Sequence, residues 1–193
     1  MTHPQGDEVI EEAAAAASRG ALVVLPTDTV YGIGTRPDDP AATSMLFAAK
    51  ERPAEHLAAA CWPGPLTLVL PRTEVSARWE LGGDAETIGL RVPAHPLALA
   101  LLRAAGPLAV TSANRSGDPP ARTSDELVAV FGDLVAVYLC QDEPLEGAAS
   151  TVVDLAHGEA RVLREGGLPA EEVHRLLAGE GPAIDSGTPR AGS

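Results

Sequence analysis

Seven short apolar runs recur along this chain, each about the length of one buried strand. They are ALVVLP (21–26), LTLVLP (66–71), TIGLRVP (87–93), PLAVTSA (107–113), LVAVYLC (134–140), STVVDL (150–155) and ARVLREG (160–166). ALVVLP is continuously apolar and stopped by proline, which suits a strand covered on both faces. Segments of helical character stand between the runs. DEVIEEAAAAASR (7–19) has an acidic first turn and ends at Gly20, and PAATSMLFAAK (40–50) starts with proline. AEHLAAAC (54–61) is a shorter helical piece. HPLALALLRAAG (95–106), TSDELVAVFG (123–132) and LPAEEVHRLLAG (168–179) each close on glycine. Strands interspersed with helices predict an α/β fold built on a mixed sheet. One domain over 7–179 fits the length, and 180–193, which lacks apolar periodicity, is expected to be a disordered tail.

Charge then narrows the classes of function. The chain carries a net charge of −13. Nucleic-acid binding needs a broad face of clustered Lys and Arg, so stable direct nucleic-acid binding is not expected, although one basic pocket in an acidic body remains open. Cys61 and Cys140 are too few for a disulfide framework or a four-ligand zinc site and read as reduced structural thiols. The polar, acidic start MTHPQGDEVIEE is no secretory signal, and no apolar run reaches membrane-spanning length. A soluble cytoplasmic protein is the expectation.

Four stretches concentrate polar chemistry at the ends of strands. PTDTVYGIG places Thr27, Thr29 and Tyr31 just past a buried strand, where α/β proteins bind ligands; an ordinary polar turn is the plainer alternative. KERP holds Lys50, the only lysine in the chain, and Arg52. They are either favourable charges at a helix C-terminus or a convergent pair of cations. VTSANRSG gathers Thr111, Ser112, Asn114 and Ser116, suited either to an anionic ligand or to local capping. GLRVP sets Arg91 among apolar neighbours, which calls for a carboxylate from the fold or from a ligand. Ser150 and Thr151 open one strand, and Arg164 closes another. GxxxxGK[ST], GxGxxG and GxSxG are all absent, and the five histidines lack metal-ligand spacing. His95, before Pro96, reads as a helix-start residue.

Together and in order, PTDTVYGIG, KERP, WPGPLTLVLP, GLRVPAHPLALALL, VTSANRSG, STVVDL and VLREG resemble the YrdC/Sua5 family, the threonylcarbamoyl-AMP synthases, from about Ala21 to Gly167. The resemblance implies a single YrdC-like domain, a twisted mixed β-sheet with flanking helices and a deep ligand cavity. It implies a nucleotidyltransferase that joins L-threonine, bicarbonate and ATP into threonylcarbamoyl-AMP and pyrophosphate. Partner proteins of tRNA modification would then pass the threonylcarbamoyl group to an adenosine, giving threonylcarbamoyladenosine. Carried over by motif, Thr27, Thr29, Tyr31, Arg91, Thr111 and Ser150 would surround threonine. Lys50, Arg52, Thr87, Ser112, Asn114 and Arg164 would hold ATP, with Lys50 and Arg52 as the catalytic cations. A compact, mobile ammonium at Lys50 can follow a departing phosphate in a way that a planar guanidinium does not. Mg²⁺ is expected with ATP, and its ligands are not assigned. The chain departs from the family in one segment. Only AEHLAAAC separates KERP from WPGP, where members carry a longer stretch with Asn-Pro-Leu, a strand and a threonine-contacting histidine; no role passes to His56. Pro120 also stands where members often have a small polar residue. The alternative is a degenerate paralogue that binds nucleotide or RNA without turnover.

Overall fold

Five α-helices and eight strands build the described part of the chain. The helices are α1 (Pro4–Ser18), α2 (Arg52–Cys61), α3 (Pro96–Ala105), α4 (Ser124–Phe131) and α5 (Ala170–Leu177). The strands are β1 (Val23–Leu25), β2 (Gly32–Thr35), β3 (Leu66–Pro71), β4 (Thr87–Leu90), β5 (Ala109–Ser112), β6 (Val137–Tyr138), β7 (Thr151–Asp154) and β8 (Arg161–Arg164). The computed structural model describes residues 4–35, 52–79, 81–115 and 117–180. The helix expected at 40–50 with Lys50, the Arg52 side chain, Ser116 and the tail beyond 180 lie outside the described residues. No described helix is long and apolar enough to cross a membrane.

Every expected strand is present, and β2 is an addition within a stretch that its glycines and hydroxyls had marked as loop. Those glycines serve close packing. A β-carbon on Gly32 would meet Val110 Cγ1 of β5 at 2.5 Å, and one on Gly34 would run into the Ala109 carbonyl. Glycine here lets two backbones approach rather than marking a turn.

The mixed pairing divides into two four-stranded sheets, ordered β5-β2-β1-β6 and β4-β3-β7-β8. Each has one parallel pair, β1 with β6 and β3 with β7, among antiparallel neighbours. β1 alternates as a two-sided strand must: Val23 and Leu25 face α1 and α3, and Val24 faces the layer of Ile33, Leu127 and Val135. The alanine-rich face of α1 (Ala13, Ala16, Ala17) is fully packed there, since small side chains allow close helix approach. The second sheet is covered by α2 and α5 through Leu57, Val173 and Leu176 on Leu66, Leu68 and Val153. His95 does cap α3, its Nδ1 accepting from the Leu97 N–H at 3.3 Å while Nε2 meets Gln141 Oε1 at 3.0 Å.

The β7–β8 turn is held by one buried carboxylate. Asp154 accepts from the Ala156 N–H at 2.9 Å, from His157 Nδ1 at 2.9 Å and from Arg161 Nη2 at 3.0 Å. Burial works to raise its pKa, but the hydrogen bonds from Ala156, His157 and Arg161 outweigh it and bring the value to about 2. A depressed carboxylate stabilises the fold above its unfolded pKa of about 3.9, and that contribution is lost as pH falls toward the folded value. Asp154→Asn is therefore expected to cost about 1–2 kcal/mol at pH 7. The deficit should shrink between about pH 4 and pH 2. Urea denaturation of both proteins at pH 7 and pH 3 checks this; an equal deficit at both pH values counts against it.

Candidate active site

A cavity of about 440 Å³ opens between the two sheets. Thr27, Thr29, Tyr31, Thr111 and Ser112 line it from the β1–β2 and β5 side, and Thr67, Arg91, Ser150 and Arg164 from the other sheet. Pro93 and Pro120 complete part of its wall.

The β1–β2 loop forms a relay of hydrogen bonds. Arg91 Nη1 donates to Thr29 Oγ1 at 2.6 Å, and the Thr27 hydroxyl donates to the Val30 carbonyl at 2.7 Å. Thr27 has one proton, so the 3.0 Å contact between the two hydroxyls is donated by Thr29. Thr27 Oγ1 also accepts from the Thr29 N–H at 3.1 Å, which leaves it no free bonding capacity. Its work is to hold Thr29 still. Tyr31 is fully buried and accepts from the Gln141 N–H at 3.1 Å.

Arg91 is fixed at all three nitrogens. Nε donates to the Gly64 carbonyl at 3.0 Å, Nη1 to Thr29, and Nη2 to Asp28 Oδ1 at 2.5 Å. Burial pulls its pKa below the ordinary arginine value, Asp28 opposes that fall, and Arg164 adds to it by like-charge repulsion. The guanidinium stays charged and keeps one N–H on each terminal nitrogen for an occupant of the cavity. Arg164 anchors itself on Ser150, with Nε and Nη2 on the Ser150 carbonyl at 3.1 and 2.9 Å, and Nη1 has no partner among the described residues. Ser150 Oγ meets Thr67 Oγ1 at 2.8 Å. Thr111 and Ser112, successive residues of β5, line the cavity, and neither hydroxyl has a partner among the described residues. Two guanidinium groups on one cavity make a seat for oxyanions inside a strongly acidic protein.

Of the residues singled out in the sequence, Thr27, Thr29, Tyr31, Arg91, Thr111, Ser112, Ser150 and Arg164 share this cavity. Thr87 stands outside its wall, with its hydroxyl on Asp84 Oδ2 at 3.0 Å. Asn114 is also outside. Its Nδ2 closes a turn on the Arg115 and Asp118 carbonyls at 2.8 Å each, while Oδ1 is buried without a partner among the described residues. Two participants escaped the sequence reading: Thr67, within an ordinary apolar strand, and Asp28, whose charge is the partner that Arg91 required. Gly147 was missed as well. It packs directly on Thr29, where a β-carbon would collide with the backbone.

Comparison with known proteins decides the ancestry. The Sua5/YciO/YrdC family pattern, described as telomere recombination, matches residues 15–61 and 53–166. The chain belongs to this family. The two matched stretches overlap over residues 53–61. A Mycobacterium tuberculosis relative is 39% identical over 193 aligned residues, covering 87% of this chain and 88% of the relative. The threonylcarbamoyl-AMP synthase of Chromohalobacter salexigens is 38% identical, over 78% of this chain and 94% of its own. Among solved structures, Pyrococcus abyssi Sua5 complexed with L-threonine superposes with a TM-score of 0.76 at 36% identity. That match covers 91% of this chain and 59% of the longer archaeal one.

Proposed function

We propose that this chain is a threonylcarbamoyl-AMP synthase, a nucleotidyltransferase that supplies the activated group for threonylcarbamoyladenosine formation in tRNA. One observation carries the reading: a guanidinium fixed at three nitrogens, with one N–H left over on each terminal nitrogen, lines a cavity that also holds Arg164, in a chain 36% identical to a protein solved with L-threonine.

The chemistry suits that seat. The threonine carboxylate accepts the two open N–H groups of Arg91, a bidentate match of fork to fork. The threonine amine adds to the carbon of bicarbonate with loss of water, giving a carbamate. A carbamate oxygen then attacks the α-phosphorus of ATP, and pyrophosphate leaves. Two anions must meet in that step, so fixed positive charge lowers the barrier. Arg164, with Nη1 open, together with Ser112 serves the phosphate side, while Thr111 belongs to the threonine side. Lys50 and Arg52 are proposed to complete it. No protein nucleophile is needed. Among the described residues no three His, Cys, Asp or Glu side chains cluster to hold a metal. Magnesium is therefore proposed to enter as MgATP, carried by the phosphates. Transfer to tRNA falls to partner proteins.

The test is pyrophosphate release with mass detection of the product. Release that requires L-threonine, bicarbonate and ATP together, with a product of the mass of threonylcarbamoyl-AMP, supports the reading. Release driven by carbamoyl phosphate in place of threonine and bicarbonate, or none at all, rejects it.

A further inference from the structure

The strongest charge contact of the site is made behind its wall. Asp28 is not among the residues lining the cavity, yet its Oδ1 accepts from both Arg91 Nη2 and the Ala94 N–H, at 2.5 and 2.9 Å. Its other oxygen, Oδ2, is buried and receives no hydrogen bond from the described residues.

A buried arginine calls for an acceptor, and Asp28 supplies one together with a full charge. Asparagine has the same shape and its amide oxygen would accept the same two hydrogen bonds, although its NH2 group would then be buried where Oδ2 now lies. What asparagine lacks is the negative charge. The described charges at the cavity are Arg91 and Arg164, which both line it, and Asp28 paired to Arg91 from behind the wall. With Asp28 the set carries one net positive charge, and without it two.

We propose that Asp28 is a positioning and specificity-determining residue that sets the charge of the cavity, so that Arg91 takes the single carboxylate of a zwitterionic amino acid in preference to a compact dianion such as inorganic phosphate. The inference rests on the amino-acid reading of Arg91 given above. A fixed positive pair attracts a dianion about twice as strongly as a monoanion, and one nearby negative charge subtracts most from the dianion. Such a site keeps its amino-acid seat clear of free phosphate and of the pyrophosphate that the reaction releases.

The experiment measures L-threonine KM and the competitive inhibition constant of inorganic phosphate in wild type and in Asp28→Asn. The expected result is tighter phosphate inhibition by about tenfold or more, with the threonine KM moved by no more than about threefold. A merely structural role would lower kcat and the melting temperature and leave the ratio of threonine KM to phosphate inhibition constant alone. A ratio unchanged within about twofold in a folded Asp28→Asn protein overturns the proposal. Asp28→Ser, also uncharged, carries the same readout should the asparagine variant not fold. Failure of both to fold would assign Asp28 to the scaffold and equally overturn it. Wild type that does not use or bind L-threonine would reject the amino-acid reading itself, a separate result visible before any variant is made.

Discussion

Arg91→Lys lowers kcat/KM for L-threonine by about a hundredfold or more, since two charge-assisted hydrogen bonds of roughly 1.5–3 kcal/mol each are lost. Arginine here does two jobs with one plane. Three nitrogens hold the group against Gly64, Thr29 and Asp28, and the two remaining N–H groups serve the cavity. A lysine ammonium has three donors on a single atom and cannot make those bonds while offering a fork. It does keep a cation beside Asp28, so the protein should fold. Steady-state kinetics with varied threonine, beside a circular-dichroism melt, are the measurement. A folded variant with kcat/KM within about threefold of wild type would remove Arg91 from the amino-acid seat.

The second large effect comes from a single methyl group. Gly147→Ala places a β-carbon against the carbonyl, Cα and carbonyl carbon of Thr29. Backbone cannot move aside as a flexible side chain would, and Thr29 is itself buried and tied to Thr27 and Arg91. Overpacking of this kind costs about 1–3 kcal/mol. The strain should fall on the relay, so the variant is expected to melt lower and to raise the threonine KM about tenfold through the displaced Thr29–Arg91 bond. Melting and kinetics that both match wild type would mean that the 147 loop yields freely.

Strand positions were legible because each apolar run matches the length of a buried strand, and four of the seven end on proline or glycine. Helix ends were legible from His95, Thr123 and the glycines at 106 and 132, which cap α3 and α4 as their residue types suggest. β2 was not legible. Its glycines carry no side-chain period, and their purpose appears only when β5 lies against them. The division into two sheets was equally hidden, because pairing between distant runs leaves no local trace. At the site, PTDTVYGIG, GLRVP and VLREG marked the right strand ends, but the order of hydrogen bonds could not be read from residue types. Thr27 looks like a ligand donor in sequence and proves to be fully engaged within its own loop. Arg91 announced that it needed a carboxylate. That Asp28 supplies one, 63 residues earlier, is a fact of tertiary structure.

The cavity's place in the seam between the two sheets has a further consequence. The seam is crossed by a few polar ties, Arg91 to Thr29 and Asp28 among them, so an occupant gripping both walls acts as a rivet. By mass action, a compound present at a hundred times its dissociation constant adds about 2.7 kcal/mol to the folded state. Heat resistance thereby becomes a gauge of filling, usable even in proteins whose chemistry has been silenced.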